Sequence, residues 1–215
     1  MKKTRKFDNK IKLIVIIFLI ALVLTVGFCL REQRNGADSE PTMSDAVASF
    51  DSGDKNRGIE IVENLLKTDP ENSEYKNRLA IYYYQAGRAD DFLSYVEKNN
   101  LNSSTILNIT ADIYRSKGDV EKAEAYYRRA ITASPKSSQL YINFSAFYQA
   151  EGNLAKAREV LLEGVAVNTR STALYISLSS VSLKLDNKTD ARKYANSALE
   201  IDPANSQAKA IINSL

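Results

Sequence analysis

A long and almost entirely apolar run stands near the start of the chain, from Leu13 to Leu30, and contains no charged residue. A helix of about 20 residues, rising ~1.5 Å per residue, spans the ~30 Å hydrocarbon core of a bilayer. A buried helix of a soluble protein can also be apolar on all sides, but the length of this run and its place near the N-terminus favour a membrane span. The pattern predicts one transmembrane helix over residues 13–30.

The charges on the two sides of this run predict its orientation. Residues 1–12 hold six Lys and Arg but only one Asp, whereas residues 31–38 carry charges of both signs. Because basic residues stay on the cytoplasmic side of a membrane, the tail 1–12 is predicted to be cytoplasmic. Everything after the helix is then expected on the other side, and residues 31–38 are predicted to form a short polar linker.

Two processed forms of this segment are alternatives to a permanent anchor. Cleavage as a signal peptide would follow Gly27, but the apolar run is longer than the usual ~7 to 15 residues of such peptides. Bacterial lipid attachment at Cys29 would need a small residue where Phe28 stands. A retained signal anchor is the preferred interpretation.

After residue 38, a local pattern returns along the chain. Pro70, Pro135 and Pro203 each follow a helical-looking run, in the stretches LLKTDPENS, AITASPKSS and ALEIDPANS. The last two prolines are separated by two periods of 34 residues, and 34 residues is the length of the tetratricopeptide repeat. The sequence resembles that family, whose pattern places small residues at repeat positions 8, 20 and 27, aromatic residues near 4, 11 and 24, and Pro at 32.

The resemblance implies an all-α, right-handed superhelical solenoid of about five helix-turn-helix repeats with a capping helix at 206–215. The repeats, which together span 39–205, are predicted at 39–72, 73–103, 104–137, 138–171 and 172–205. Position 8 is small in every repeat: Ala46, Ala80, Ala111, Ser145 and Ser179. Position 20 is small in all but one repeat, where Phe92 stands. That repeat, 73–103, is also three residues short and lacks the terminal Pro.

Local signals agree with this frame. Hydroxyl residues that can cap a helix N-terminus stand at the predicted helix starts: Ser104, Ser138, Thr172 and Ser206. Glycines that can take a positive φ stand at the predicted turns between paired helices: Gly53, Gly87, Gly118 and Gly152. Both sets favour helix pairs with tight turns.

Composition argues against several classes of function. The chain has no His, and Cys29 is its only Cys, so neither an intrachain disulfide nor a Cys/His zinc site is expected. The same absence removes the usual nucleophile–base pairs, and no phosphate-binding loop occurs. Beyond residue 12 the chain carries no basic excess for nucleic acid. The protein is predicted to be no enzyme and to bind no cofactor or metal; an enzyme built from carboxylates alone, such as Glu121 and Glu124, is the weaker alternative.

The resemblance also implies where a partner binds. In this family the first helix of each repeat lines a concave face through repeat positions 2, 5, 9 and 12. A protein or peptide partner in this groove is therefore expected to contact Asn77, Tyr84, Asn108, Asp112, Arg115, Ile142, Gln149, Ile176 and Leu183. The alternative is that the polar members are simply solvated and the apolar ones belong to the core. The Lys/Asn/Arg clamp that holds a C-terminal carboxylate in some members is absent, because Arg78 stands alone.

An anchor followed by a repeat array predicts a membrane-anchored adaptor or scaffold that mediates protein–protein interaction. The resemblance to anchored members of this family implies a role at the outer face of the bacterial cytoplasmic membrane, in envelope assembly, secretion or maturation complexes, so the repeats are expected in the periplasm or outside the cell. Two alternatives stay open: a self-assembling, homo-oligomeric scaffold, and an anchored receptor that faces the cytosol because the helix inserts the other way.

Overall fold

Residues 40–215, the part of the chain that the computed structural model describes, form eleven α-helices and no β-strand. The predicted all-α class is confirmed for this range. The basic tail at 1–12, the transmembrane helix at 13–30 and the linker at 31–38 lie outside the described residues and remain predictions. Within residues 40–215, no helix is both long enough and apolar enough to cross a membrane.

The helices follow one another in pairs along the chain. The first helices of the pairs are α1 (Met43–Asp51), α3 (Ser73–Gln85), α5 (Ser104–Ser116), α7 (Ser138–Ala150) and α9 (Thr172–Lys184). The second helices are α2 (Lys55–Thr68), α4 (Ala89–Lys98), α6 (Val120–Ala133), α8 (Leu154–Val167) and α10 (Lys188–Ile201), and α11 (Ser206–Asn213) follows the last pair. Each second helix packs against its own partner and against the next first helix, which builds an array of stacked pairs.

Small residues let the two helices of a pair approach closely. The side chains at repeat position 8 are all buried: Ala46, Ala80, Ala111, Ser145 and Ser179. In the first pair, a Cβ added to Gly58 would lie 2.9 Å from the carbonyl oxygen of Ala46 and 2.8 Å from the Cβ of Phe50. A larger residue at Gly58 would therefore have to push the backbones of α1 and α2 apart.

The turns inside the pairs have the predicted left-handed conformation. Gly53, Gly87, Gly118 and Gly152 have φ values of 100°, 77°, 76° and 73°. In the fifth pair the same place is taken by Asp186, with φ 56°. A short polar side chain tolerates this conformation better than most residues do, so the fifth turn keeps the geometry without a glycine.

The helix caps lie one residue earlier than predicted. The predicted cap residues are instead the first residues of their helices: Ser104, Ser138, Thr172 and Ser206. The side chains of Ser103, Ser171 and Asn205 accept the N-terminal N–H bonds of α5, α9 and α11. Ser137 precedes α7 but makes no such bond. Each start has two adjacent residues that can cap, so the sequence pattern alone does not choose between them.

The buried apolar side chains form two large clusters that meet at α5. Ile106 and Ile113 pack with the cluster of α1 to α4, whereas Leu107 and Ala111 pack with the cluster of α6 to α10. Neighbouring residues of one helix point to different sides, so α5 forms a wall shared by both clusters. The second cluster is centred on stacked aromatic rings, among them that of Phe144.

Helix α4 is the exception among the second helices. It has 10 residues, whereas α2, α6, α8 and α10 have 14 each. Its Phe92, at the position where the other pairs have Gly or Ala, is completely buried. The chain leaves α4 through Asn100, which has a φ of 52°. The shorter repeat predicted at this place thus lacks the last turn of its second helix.

Candidate protein-binding surface

A line of hydrogen-bonded polar side chains connects two successive first helices. On α5, Asn108 Nδ2 donates to Asp112 Oδ2 at 3.2 Å. From α7, Asn143 Nδ2 donates to Asn108 Oδ1 at 3.1 Å, and Gln139 Nε2 donates to Asn143 Oδ1 at 2.7 Å. Residues four apart lie on one face of a helix, so Asn108 with Asp112 and Gln139 with Asn143 form one continuous polar strip.

Asp112 is held in place from behind by Tyr127 of α6. The Tyr127 hydroxyl donates to Asp112 Oδ1 at 2.5 Å, and Arg115 Nη2 lies 3.5 Å from the same oxygen. Burial, and then the hydrogen bond to the Asp112 carboxylate, raise the pKa of Tyr127 well above its ordinary value. The tyrosine therefore stays a donor, and Asp112, whose side chain is 30% exposed, keeps an open side toward solvent.

A pocket of about 320 Å³ lies beside Asp112, between α3 and α5. Tyr84, Asp112 and Arg115 line it, together with the turn at Gly87. The ring of Tyr84 is 40% exposed and its centroid lies 6.1 Å from that of Phe92, which supports it from below. Three residues predicted from the sequence thus meet around one pocket, with an aromatic face and both signs of charge.

The remaining polar candidates also link neighbouring pairs. Asn77 Oδ1 of α3 accepts from the Ser103 hydroxyl just before α5, at 3.4 Å. Gln149 Oε1 of α7 accepts from Lys184 Nζ of α9, at 2.8 Å, and its Nε2 donates to Ser145 Oγ at 3.3 Å. These contacts fix the amide groups, although both residues remain partly exposed.

The described residues offer no sign of a metal centre. Among residues 40–215, no group of three or more metal-ligating side chains converges. Of the carboxylates considered from the sequence, Glu121 is exposed, and Glu124 Oε2 lies 3.5 Å from Lys156 Nζ of the next pair. Glu124 therefore takes part in an ion pair between second helices.

Comparison with protein families agrees with the helix pairs. Three family models, each described as a tetratricopeptide repeat, match residues 46–99, 114–181 and 172–205, which together exceed half of the chain. This chain is a tetratricopeptide-repeat protein. Proteins with this fold are generally interaction scaffolds without catalytic function, and their repeats bind protein or peptide partners.

Several solved structures superpose on most of this chain. MamA has a TM-score of 0.59 at 21% identity, over 75% of this chain and 90% of that chain. YrrB, described as a tetratricopeptide-repeat protein with an unusual peptide-binding site, has a TM-score of 0.58 at 14% identity, over 87% and 98%. PilF of Pseudomonas aeruginosa has a TM-score of 0.59 at 15% identity, over 79% and 78%. Such identities show the fold alone. No curated protein matches the sequence.

The apolar candidates of this tetratricopeptide-repeat protein lie differently from the polar ones. Ile142 is partly buried against the second apolar cluster, and Leu183 is partly exposed. Ile176 is only 8% exposed and packs against Ala198 and Ala208, under α11. The last helix therefore helps to cover the surface that Ile176 would otherwise offer to a ligand.

Three residues of the same surface were not among the sequence candidates: Gln139, Asn143 and Lys184. Asn143 and Lys184 each follow their hydrogen-bond partner, Asn108 and Gln149, by 35 residues. One repeat length plus one residue is the signal that links Asn143 and Lys184 to their partners, and a choice restricted to repeat positions 2, 5, 9 and 12 omits both. Gln139 stands at position 2 of the repeat 138–171, so the same choice could have included it.

Proposed function

We propose that this protein is a membrane-anchored adaptor that binds a protein or peptide partner on the surface of its first helices. The observation that carries the binding role is the polar strip from Gln139 to Asp112, which ends at the pocket of Tyr84 and Arg115. Amide side chains offer both donors and acceptors to a peptide backbone. The pocket beside them has room for one side chain of that peptide.

The fixed geometry of these side chains favours binding. Immobilising a flexible side chain on association costs about 0.5–1.5 kcal/mol, and the hydrogen bonds of Asn108 and Asp112 have met part of that cost before a partner arrives. Tyr and Arg are enriched among the residues that carry most of the binding energy at interfaces. Tyr84 and Arg115 therefore form the expected centre of this surface.

The binding test compares variants of the full-length chain in detergent extracts of its native cells. Tyr84→Ala and Arg115→Ala are each expected to weaken capture of the partner about tenfold or more, since hot-spot truncations cost ~2 kcal/mol. Arg192→Ala is the matched control, because Arg192 is exposed on α10 and lies away from the pocket. Circular dichroism checks that each variant is folded. Equal capture by all four proteins would contradict the proposed surface.

The anchor belongs to the same proposal and rests on the apolar run at 13–30 and the basic tail before it. On this proposal the helix is retained, the N-terminus is cytoplasmic, and the repeats face the periplasm or the exterior of a bacterial cell, as a right-handed superhelix. There they would hold a component of an envelope assembly, secretion or maturation complex.

The orientation is tested by fusing to Leu215 an enzyme that is active only outside the cytoplasm. We expect activity that sediments with the membrane fraction. The control is a fusion in which the same enzyme directly follows residue 12. It lacks the anchor and should be inactive. Good expression of the full fusion without activity would place the repeats in the cytosol and overturn the outward orientation. Activity in the soluble fraction would mean that the segment is cleaved.

A further inference from the structure

A cavity of about 820 Å³ lies between the second helices α4 and α6. Its floor is formed by Thr110 and Tyr114 of α5. Each of these residues is two positions away from Asp112, and two positions correspond to a rotation of about 200° around a helix. The cavity therefore opens on the side of α5 opposite to the polar strip, and it is separate from the proposed binding surface.

The missing last turn of α4 accounts for this opening. Farther along the array, ion pairs bridge successive second helices: Arg128 with Glu163 at 2.5 Å and Glu124 with Lys156 at 3.5 Å between α6 and α8, and Arg158 with Asp190 at 2.9 Å between α8 and α10. Within residues 40–215, no ion pair joins α4 to α6. The chain instead leaves α4 early, through Asn100, and the loop residues Leu101 and Asn102 form one rim of the cavity.

One wall of the cavity is a column of aromatic rings and cations. The rings of Tyr114 and Tyr126 stack with centroids 5.5 Å apart and an interplanar angle of 17°. Lys122 Nζ lies 4.9 Å from the ring centre of Tyr114, and the Arg129 guanidinium lies 4.7 Å from that of Tyr126. Stacking of this kind holds the guanidinium in a fixed position. Arg129 is therefore preorganised at the end of this wall.

Of the three charged side chains that line the cavity, one forms an ion pair within the described residues and two do not. Lys122 Nζ is paired with Asp119 Oδ2 at 3.0 Å. Arg129 on α6 and Glu97 on α4 make no ion pair with any residue of the described range, and they stand on facing helices. The Asn100 and Asn102 side chains likewise make no hydrogen bond within residues 40–215. The site thus offers a cation on one side, an anion on the other and two amides at the rim.

We infer that this cavity binds an extended peptide segment of a partner protein, with an acidic side chain held by Arg129 and a basic side chain facing Glu97. Arginine binds a carboxylate through two parallel hydrogen bonds, and the rim amides can bond to the peptide backbone. Leu93 and Val96 provide an apolar wall for an aliphatic side chain. The volume lies within the ~300–1,000 Å³ range of ligand sites.

The test screens the full-length chain, purified in detergent, against a phage-displayed library of random heptapeptides. We expect the selected peptides to carry an acidic and a basic residue at a fixed spacing. Their affinity should fall at least tenfold with Arg129→Glu and with Glu97→Lys, as loss of a charge-assisted hydrogen bond predicts. Arg192→Glu and Glu200→Lys are the matched controls, because both residues are exposed on α10, far along the array.

A charge-swapped double variant, Glu97→Arg with Arg129→Glu, keeps the test informative even if one single variant is unstable. It should select peptides with the order of the two charges reversed, which a misfolded protein would not do. The inference is overturned if no peptide is enriched, or if the wild type and the swapped variant select the same charge order. It is also overturned if the selected peptides are lost with Tyr84→Ala, because they then bind the other surface.

Discussion

Replacing Phe144 with Ala will lower the free energy of unfolding by about 3–5 kcal/mol, the cost of emptying a well-packed aromatic site. The side chain is 0% exposed. Its ring centre lies 5.2 Å from that of Tyr127 and 4.7 Å from that of Tyr148, and the Arg128 guanidinium lies 4.9 Å from it. Urea denaturation followed by circular dichroism measures the loss.

The control for this prediction is Tyr84→Ala, which removes a ring that is 40% exposed and should cost no more than about 1 kcal/mol. Hydrogen exchange adds a spatial test, because repeat arrays are stabilised mainly by neighbouring contacts. Phe144→Ala should reduce protection in α6 to α9 more than in α1 to α3. Equal costs for the two variants would show that Phe144 is not the centre of the second cluster.

Raising the pH above 10 will destabilise the protein steeply. Burial raises the pKa of Tyr83, Tyr127 and Tyr148 well above their ordinary value of 10.0, and nearby carboxylates add to the effect. Above pH 10 the unfolded chain therefore binds fewer protons than the folded one, so unfolding becomes more favourable as the pH rises. Below pH 10 this contribution to stability is fully present. Each buried tyrosine should cost about 1 kcal/mol between pH 10 and pH 11.

Urea denaturation at pH 9, 10 and 11 measures this dependence, and Tyr127→Phe and Tyr148→Phe identify its source. Each variant should lose less stability than the wild type between pH 10 and pH 11, by about 1 kcal/mol. Tyr84→Phe is the control, because that ring is 40% exposed rather than buried. A pH dependence unchanged in all three variants would assign the alkaline unfolding to other groups.

Much of the fold could be predicted because certain positions of the backbone accept only one kind of residue. A position with φ near 75° favours glycine, so Gly87, Gly118 and Gly152 marked their turns correctly. Small residues at repeat position 8 likewise marked the places where paired helices cross, because a close approach of two helices requires small side chains. The fifth turn carries no such signal, since Asp186 takes the conformation that glycine has elsewhere.

The candidate surface could be predicted only in part. Tyr84, Asp112 and Arg115 meet at one pocket, as expected of residues on one face of successive first helices. Ile176 was expected in the groove, but its exposure depends on how closely α11 packs over it, which no local pattern specifies. Short repeats are visible in a sequence as missing residues, but the cavity that the missing turn leaves depends on the rings and loop around it.

The division of the apolar core at α5 also determines how the array responds to force. Ion pairs tie α6 to α8 and α8 to α10, whereas in the described residues no ion pair joins α4 to α6, and the ion pair of Asp90 on α4 reaches only Lys117 in the turn before α6. Elastic bending of the array will concentrate where the fewest contacts resist it, which is this joint. We therefore expect the curvature that a bound partner meets to change most easily at this joint, next to the repeat that is three residues short.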